Sequence, residues 1–110
     1  MADDAPDELV CSLMRYFSAQ FDILLVSGRP EEHRATTERW LDQNHIYDVR
    51  GLFMRRTGDY RPDTEVKREI YQNQIAPRYK VRLVLDDRSS VVAMWRSLGL
   101  TCWQVAEGNF

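Results

Sequence analysis

Apolar residues recur along this chain in two alternating rhythms. Leu9, Leu13 and Phe17 stand four apart with Val10 and Met14 beside them, one broad apolar face that predicts a helix over 7–19. Asp4 or Asp7 can cap that helix, with Pro6 near its first turn. Ile23 to Val26 is a continuous apolar run, which fits a strand buried on both faces, and Gly28 and Pro30 end it. A second helix is expected over 31–43, with Glu31 and Glu32 in its first turn, Trp40 and Leu41 as core contacts and Asn44 as its stop. Leu52 to Met54 reads as a short strand, and RRTGDYRPD as a loop. Asp63, after Pro62, can cap a third helix over 64–74 with Val66 and Ile70 inward. Lys80 to Leu85 is the third strand and runs into Asp86-Asp87. Ser89 or Ser90 can start a fourth helix that buries Val91, Val92, Trp95 and Leu98, with Gly99 as a left-handed stop. Cys102 to Val105 is the last strand.

Helices alternating with strands imply an α/β fold with a mostly parallel sheet covered on both faces. At 110 residues the chain is expected to form a single domain, 1–110. No apolar run approaches the ~20 residues that span a bilayer, and the acidic start MADDAPDELV is unlike a secretory signal. Cys11 and Cys102 lie in apolar surroundings and read as reduced core thiols of a cytoplasmic protein. His33 and His45 are not placed to complete a metal cage with them and read as surface residues. The net charge of −2 argues against an indiscriminate nucleic-acid binder, but the charge is uneven. Residues 1–49 hold four arginines against ten acids; residues 50–82 hold seven arginines and two lysines against four acids. That basic middle segment suits a phosphate-bearing ligand, and arginine suits bidentate phosphate contacts. Genomic base composition would produce the same arginine bias.

In open α/β sheets ligands bind beyond the carboxyl ends of the strands. Three such ends carry reactive-looking residues: Ser27-Gly28-Arg29, Arg55-Arg56 and Asp86-Asp87. Adjacent carboxylates repel, so a buried pair needs a cation or strong hydrogen bonds, and Mg²⁺ is a hard ion that takes carboxylate oxygens. The plainer reading of Asp86-Asp87 is a helix cap plus one solvated acid. Ser27 is expected at a strand-to-helix turn, where its hydroxyl and nearby N–H groups can hold a phosphoryl oxygen and Arg29 can add a contact. An ordinary turn serine and a surface arginine is the alternative. Lys67 can neutralise a transferring phosphoryl group, or can be a helix lysine paired with a nearby acid.

Taken together, VSGRPEEHRATTERWL, LFMRRTGDYRPDTEVKREIY and APRYKVRLVLDDRSSVVAMWRSLGLTCWQVAEGNF resemble the 3′-phosphatase domain of phage-type polynucleotide kinase/phosphatases, within the haloacid dehalogenase superfamily. The resemblance covers about residues 9–110 and is most specific in GDYRPDTEVKREIY followed by VLDDRSSVVAMWRSLG. It implies a three-layer Rossmann-like fold and a Mg²⁺-dependent phosphatase acting on 3′-phosphate ends of nucleic acid. It makes Ser27, with Gly28 and Arg29, the phosphoryl-binding motif, Lys67 the residue that stabilises nucleophile and phosphate, and Asp86 and Asp87 the metal-placing pair. Arg55 or Arg56 is the implied substrate contact. The family's first motif, Asp-x-Asp after a central strand, has no counterpart here, because no apolar strand precedes an aspartate in MADDAPDEL. The expectation is therefore a domain lacking the usual first central strand and its nucleophilic aspartate, inactive alone, as a fragment or half of a split enzyme. A non-catalytic module that binds phosphate-bearing ends is the other reading. Strands 23–26 and 81–85 are expected either to pair directly or to await a strand from elsewhere, through a complementing N-terminal or kinase segment or a self-associated dimer.

Overall fold

A computed structural model describes residues 8–109. Four helices and four strands alternate as the apolar rhythm predicts: α1 Glu8–Ser18, β1 Ile23–Pro30, α2 Arg34–Gln43, β2 Val49–Arg55, α3 Asp63–Ile70, β3 Val84–Asp86, α4 Ser89–Ser97 and β4 Cys102–Gln104. The expected caps Asp4 and Asp7 lie outside the described residues. The strands pair in parallel, β1 with β2 and β3 with β4, each pair a two-stranded sheet. Direct pairing of β1 with β3, one of the two expected outcomes, is not formed among the described residues. Contacts divide the chain into two compact units, the first ending at Gly58 and the second beginning at Asp59.

In the first unit, Cys11 of α1 and Leu41 of α2 form a buried cluster with Ile46, and Leu25 and Trp40 pack against it. β1 runs further than its apolar stretch and includes Ser27, Gly28, Arg29 and Pro30. Ser27 pairs with Met54 and Pro30 with Arg55, so Gly28 and Arg29 face no partner on β2. An irregularity of this kind lets a strand carry a glycine and a proline that would otherwise end it. Ser27-Gly28-Arg29 is therefore part of a strand and not, as expected, a strand-to-helix turn. A 3₁₀ turn, Glu31–His33, precedes α2. Asn44 ends α2, donating from Nδ2 to the Trp40 carbonyl at 2.8 Å.

In the second unit, Val91, Val92, Met94 and Trp95 of α4 pack with Cys102 of β4 in one core. α3 begins at Asp63 itself, and Pro62 precedes it without a side-chain cap, so Asp63 is a first-turn residue and not the cap. A π-helical turn, Tyr71–Ile75, continues α3 and sets the Tyr71 ring edge-on to Trp95 at 6.0 Å. The third strand is shorter than expected: only Val84–Asp86 pairs, because its partner β4 has three residues. Gly99 has φ +83°, the left-handed stop the sequence calls for. Both cysteines are buried thiols outside any disulfide.

Candidate phosphate site

The carboxylate of Asp86 organises the second unit. It ends β3 with its side chain only 10% exposed. Its Oδ1 accepts the backbone N–H groups of Asp87 at 2.9 Å and Arg88 at 3.2 Å. Its Oδ2 accepts the Trp95 indole N–H at 3.2 Å and faces the Lys67 ammonium at 3.4 Å. A carboxylate offers about four lone-pair sites, and these four donors use them. Lys67 in turn lies 3.3 Å from Asp63 Oδ2, one helical turn back on α3. The three side chains are 10–13% exposed, so they act on one another with little screening by water. Arg88 approaches Asp63 at 3.9 Å.

The loop carrying Asp87 is braced from the C-terminal side. Gln104 Nε2 donates to the Asp87 carbonyl at 3.1 Å and to Ser89 Oγ at 3.0 Å. The Ser89 N–H donates to the Gly108 carbonyl at 2.6 Å, and the Val105 N–H to the Asp86 carbonyl at 3.0 Å. Asp87 is thus held by its backbone while its side chain is exposed. Burial, with the Asp86 charge as a second cause, pushes the Cys102 thiol above its ordinary range.

In the first unit, Ser27 Oγ accepts the Arg29 N–H at 3.1 Å, at the irregularity in β1. Arg55 Nε donates to the Gly28 carbonyl at 2.7 Å, which fixes the same backbone from β2. Arg56 is exposed. The choice left open between the two arginines thus has a geometric answer in part: Arg55 shapes the Ser27–Arg29 segment, and Arg56 is the one turned to solvent.

Of the residues expected to act, Lys67 and Asp86 meet directly, and Ser27, Gly28, Arg29 and Arg55 form one hydrogen-bonded segment. Two residues escaped the sequence reading. Asp63 appeared there only as a cap, although its spacing of four from Lys67 is the signal for an ion pair on one helix face. Trp95 appeared only as core, and periodicity carries no information on where an indole N–H points. Among the described residues no three acidic, histidine or cysteine side chains gather at one point; Asp86 has its oxygens engaged by four donors, and Asp87 is the exposed carboxylate beside it.

The chain is similar to known proteins. The chain matches the family described as the polynucleotide kinase PNKP phosphatase domain over residues 1–110. A bifunctional polynucleotide kinase/RNA ligase of Autographa californica nuclear polyhedrosis virus is 32% identical over 93 residues, which cover 81% of this chain and 13% of the viral protein. A chain in a structure of the Pnkp1/Rnl/Hen1 RNA repair complex superposes with a TM-score of 0.91 at 40% identity, covering 94% of this chain and 34% of that one. A second structure of the Pnkp1/Rnl/Hen1 complex gives the same score and identity, with 37% of its chain covered. The chain therefore spans about a third of its solved relatives' length and much less of the viral one. The α/β architecture, the Lys67–Asp86 pair at the end of a parallel strand and the match along the whole sequence make this chain a member of the polynucleotide kinase phosphatase-domain family, within the haloacid dehalogenase fold.

Proposed function

We propose that residues 1–110 act as a single domain that binds the 3′-phosphate end of a nucleic acid, as the phosphate-handling portion of a 3′-phosphatase. One observation carries this reading: the Lys67 ammonium is held between Asp63 and Asp86 at the carboxyl end of β3, a fixed positive charge where parallel sheets bind ligands. Within the first unit, taken by itself, the Ser27 hydroxyl and exposed Arg56 are groups of the kind that contact phosphoryl oxygens. Asp63, Trp95 and Arg55 are positioning residues in this reading.

Phosphoryl transfer needs a nucleophile in line with phosphorus. Among the described residues Asp86 is the carboxylate that directly ends an apolar strand, and its oxygens are occupied by Lys67, Trp95 and two backbone N–H groups. Residues 1–110 by themselves thus bind without turnover, and a further segment supplies the attacking group. Mg²⁺ belongs to this reading through Asp87, whose exposed carboxylate supplies one oxygen and leaves the rest to that segment, so binding by this chain alone is weak. The same segment offers a strand. Among the described residues β1 pairs with β2 on one side, and none of Ile23 to Val26 is buried although the run is apolar on both faces. A complementing strand of the same protein fits better than self-association, because the solved relatives are about three times longer. A cytoplasmic setting agrees with two buried thiols outside any disulfide, and no helix among the described residues is long and apolar enough to cross a membrane.

The test is a titration of this chain with single-stranded oligonucleotides that differ only in a 3′-phosphate or 3′-hydroxyl. Tighter binding of the phosphorylated end, weakened by Ser27→Ala, is expected. Equal binding of both ends would sink the proposal.

A further inference from the structure

Tyr60 is 94% exposed, the barest of the large hydrophobic side chains among the described residues. A single exposed aromatic is ordinary where its backbone is loose. Here the backbone is held on both sides. The Arg61 N–H donates to Asp59 Oδ1 at 3.1 Å, closing a turn around Tyr60 itself. The Arg61 guanidinium then bonds Asp59 Oδ2 at 2.8 Å and reaches Glu69 Oε2, on α3, at 2.7 Å. Gly58 precedes this turn with φ +86°, and Pro62 follows it at the start of α3. The loop is thus clamped to the helix that carries Lys67, while the ring it presents is left bare.

That combination selects its ligand. The clamp places Arg61 against two carboxylates, so the loop offers no spare cation to a phosphate. Tyr60 presents a flat π-face on a rotamer-poor side chain, whose ordering cost is small because its backbone is already fixed. Nucleobases stack on such faces whatever their sequence. Tyr60 to Asp63 spans at most about 11 Å of extended chain, and Asp63 to Lys67 rises about 6 Å along the helix. A base on Tyr60 therefore belongs to one of the last few nucleotides before a phosphate held at Lys67.

We infer that Tyr60 is a stacking platform for a base near the 3′ end of a single-stranded nucleic acid, a role that rests on the phosphate-end reading above. The experiment titrates the chain and its Tyr60→Ala, Tyr60→Phe and Tyr60→Trp variants against fluorescein-labelled 3′-phosphorylated oligonucleotides, in RNA and DNA versions. One set carries bases throughout, and the other is abasic over its last positions. Tyr60→Ala is expected to weaken binding of the base-bearing probes about 5- to 100-fold, the range lost when alanine removes a stacked aromatic. Phe and Trp keep most of the affinity. The abasic probes bind the native chain and Tyr60→Ala alike, and thermal unfolding is unchanged. Tyr60→Ala binding the base-bearing probes as tightly as the native chain overturns the inference alone. Loss on Tyr60→Ala without any preference for 3′-phosphate over 3′-hydroxyl keeps the platform and removes the phosphate-end reading. No binding of any probe by the native chain removes both.

Discussion

The two units hold themselves together in different ways. The first is organised by its ladder: β1 and β2 are eight and seven residues long, yet no residue of β1 is buried. The second has three-residue strands, and there side chains carry the organisation, with Trp95 3% exposed and Val91 completely buried. The same contrast runs through their polar groups. In the set of Ser27, Gly28, Arg29 and Arg55 each bond joins a side chain to a backbone group, whereas Lys67, Asp63, Asp86 and Trp95 are joined side chain to side chain. Losing one partner in the first set leaves a single backbone group to satisfy, and in the second it leaves a buried charge.

The sharpest way to break that comparison is truncation of one core residue on each side. Trp95→Ala should cost about 3–5 kcal/mol, because it removes a large buried ring and one donor to Asp86 together. Leu25→Ala, at a half-buried position of β1, should cost about 1–2 kcal/mol. Urea unfolding of both variants gives the two values, and equal costs would erase the distinction. Next in size is Lys67→Met, expected to cost about 2–4 kcal/mol because Asp63 and Asp86 then face each other unneutralised. Adding Asp63→Asn should recover part of that loss, whereas Arg55→Met on the first unit, which removes a neutral acceptor's partner and leaves no buried charge, should cost about 1–2 kcal/mol.

These residues also show what could be read before any coordinates. Three of the helices are legible because they carry apolar residues three and four apart, α2 through the acids before it, Trp40-Leu41 and its Asn44 stop, and Gly99 because few other residues take a positive φ. β1 was cut short because Gly28 and Pro30 signal an end, and only the pairing with β2 shows that a strand can absorb both at an irregularity. The third strand was drawn too long, since Lys80 to Leu85 suits a strand locally and its true length depends on a partner far along the chain. At the site, Lys67 and Asp86 could be named, but their bond joins residues 19 apart and no spacing rule reaches that far. Asp63 was within reach of such a rule and was assigned a different role.

Two smaller effects refine the comparison. A methyl group at residue 108 would land on the Asp87 carbonyl oxygen, so Gly108→Ala must move the segment that braces the acidic loop. A loss of about 1–3 kcal/mol is expected in thermal unfolding, whereas at Gly51 of the first unit an added methyl would meet the Phe53 ring edge, a side chain and not backbone. The smallest effect is a pH effect on the first unit. A hydrogen bond from Arg34 holds the Glu31 carboxyl below its ordinary value of 4.5. A group depressed on folding stabilises the protein above its unfolded value and ceases to do so as pH falls through the lower one. Both side chains are over a third exposed, so Glu31→Gln should cost only a few tenths of a kcal/mol at pH 7 and nothing at pH 3. Denaturation midpoints at the two pH values measure the difference.

The crowding of donors around Asp86 also changes how this protein should be studied. Aspartate to asparagine is the habitual way to silence an acid while keeping its shape. At residue 86 the replacement is not neutral, because an amide keeps one oxygen and turns an N–H₂ group toward donors that had been facing an acceptor. A dead Asp86→Asn protein would report a site rearranged by donor meeting donor, and would say little about the charge it was built to remove. Asp87→Asn, on an exposed side chain whose backbone is braced independently, isolates the charge itself and is the cleaner control.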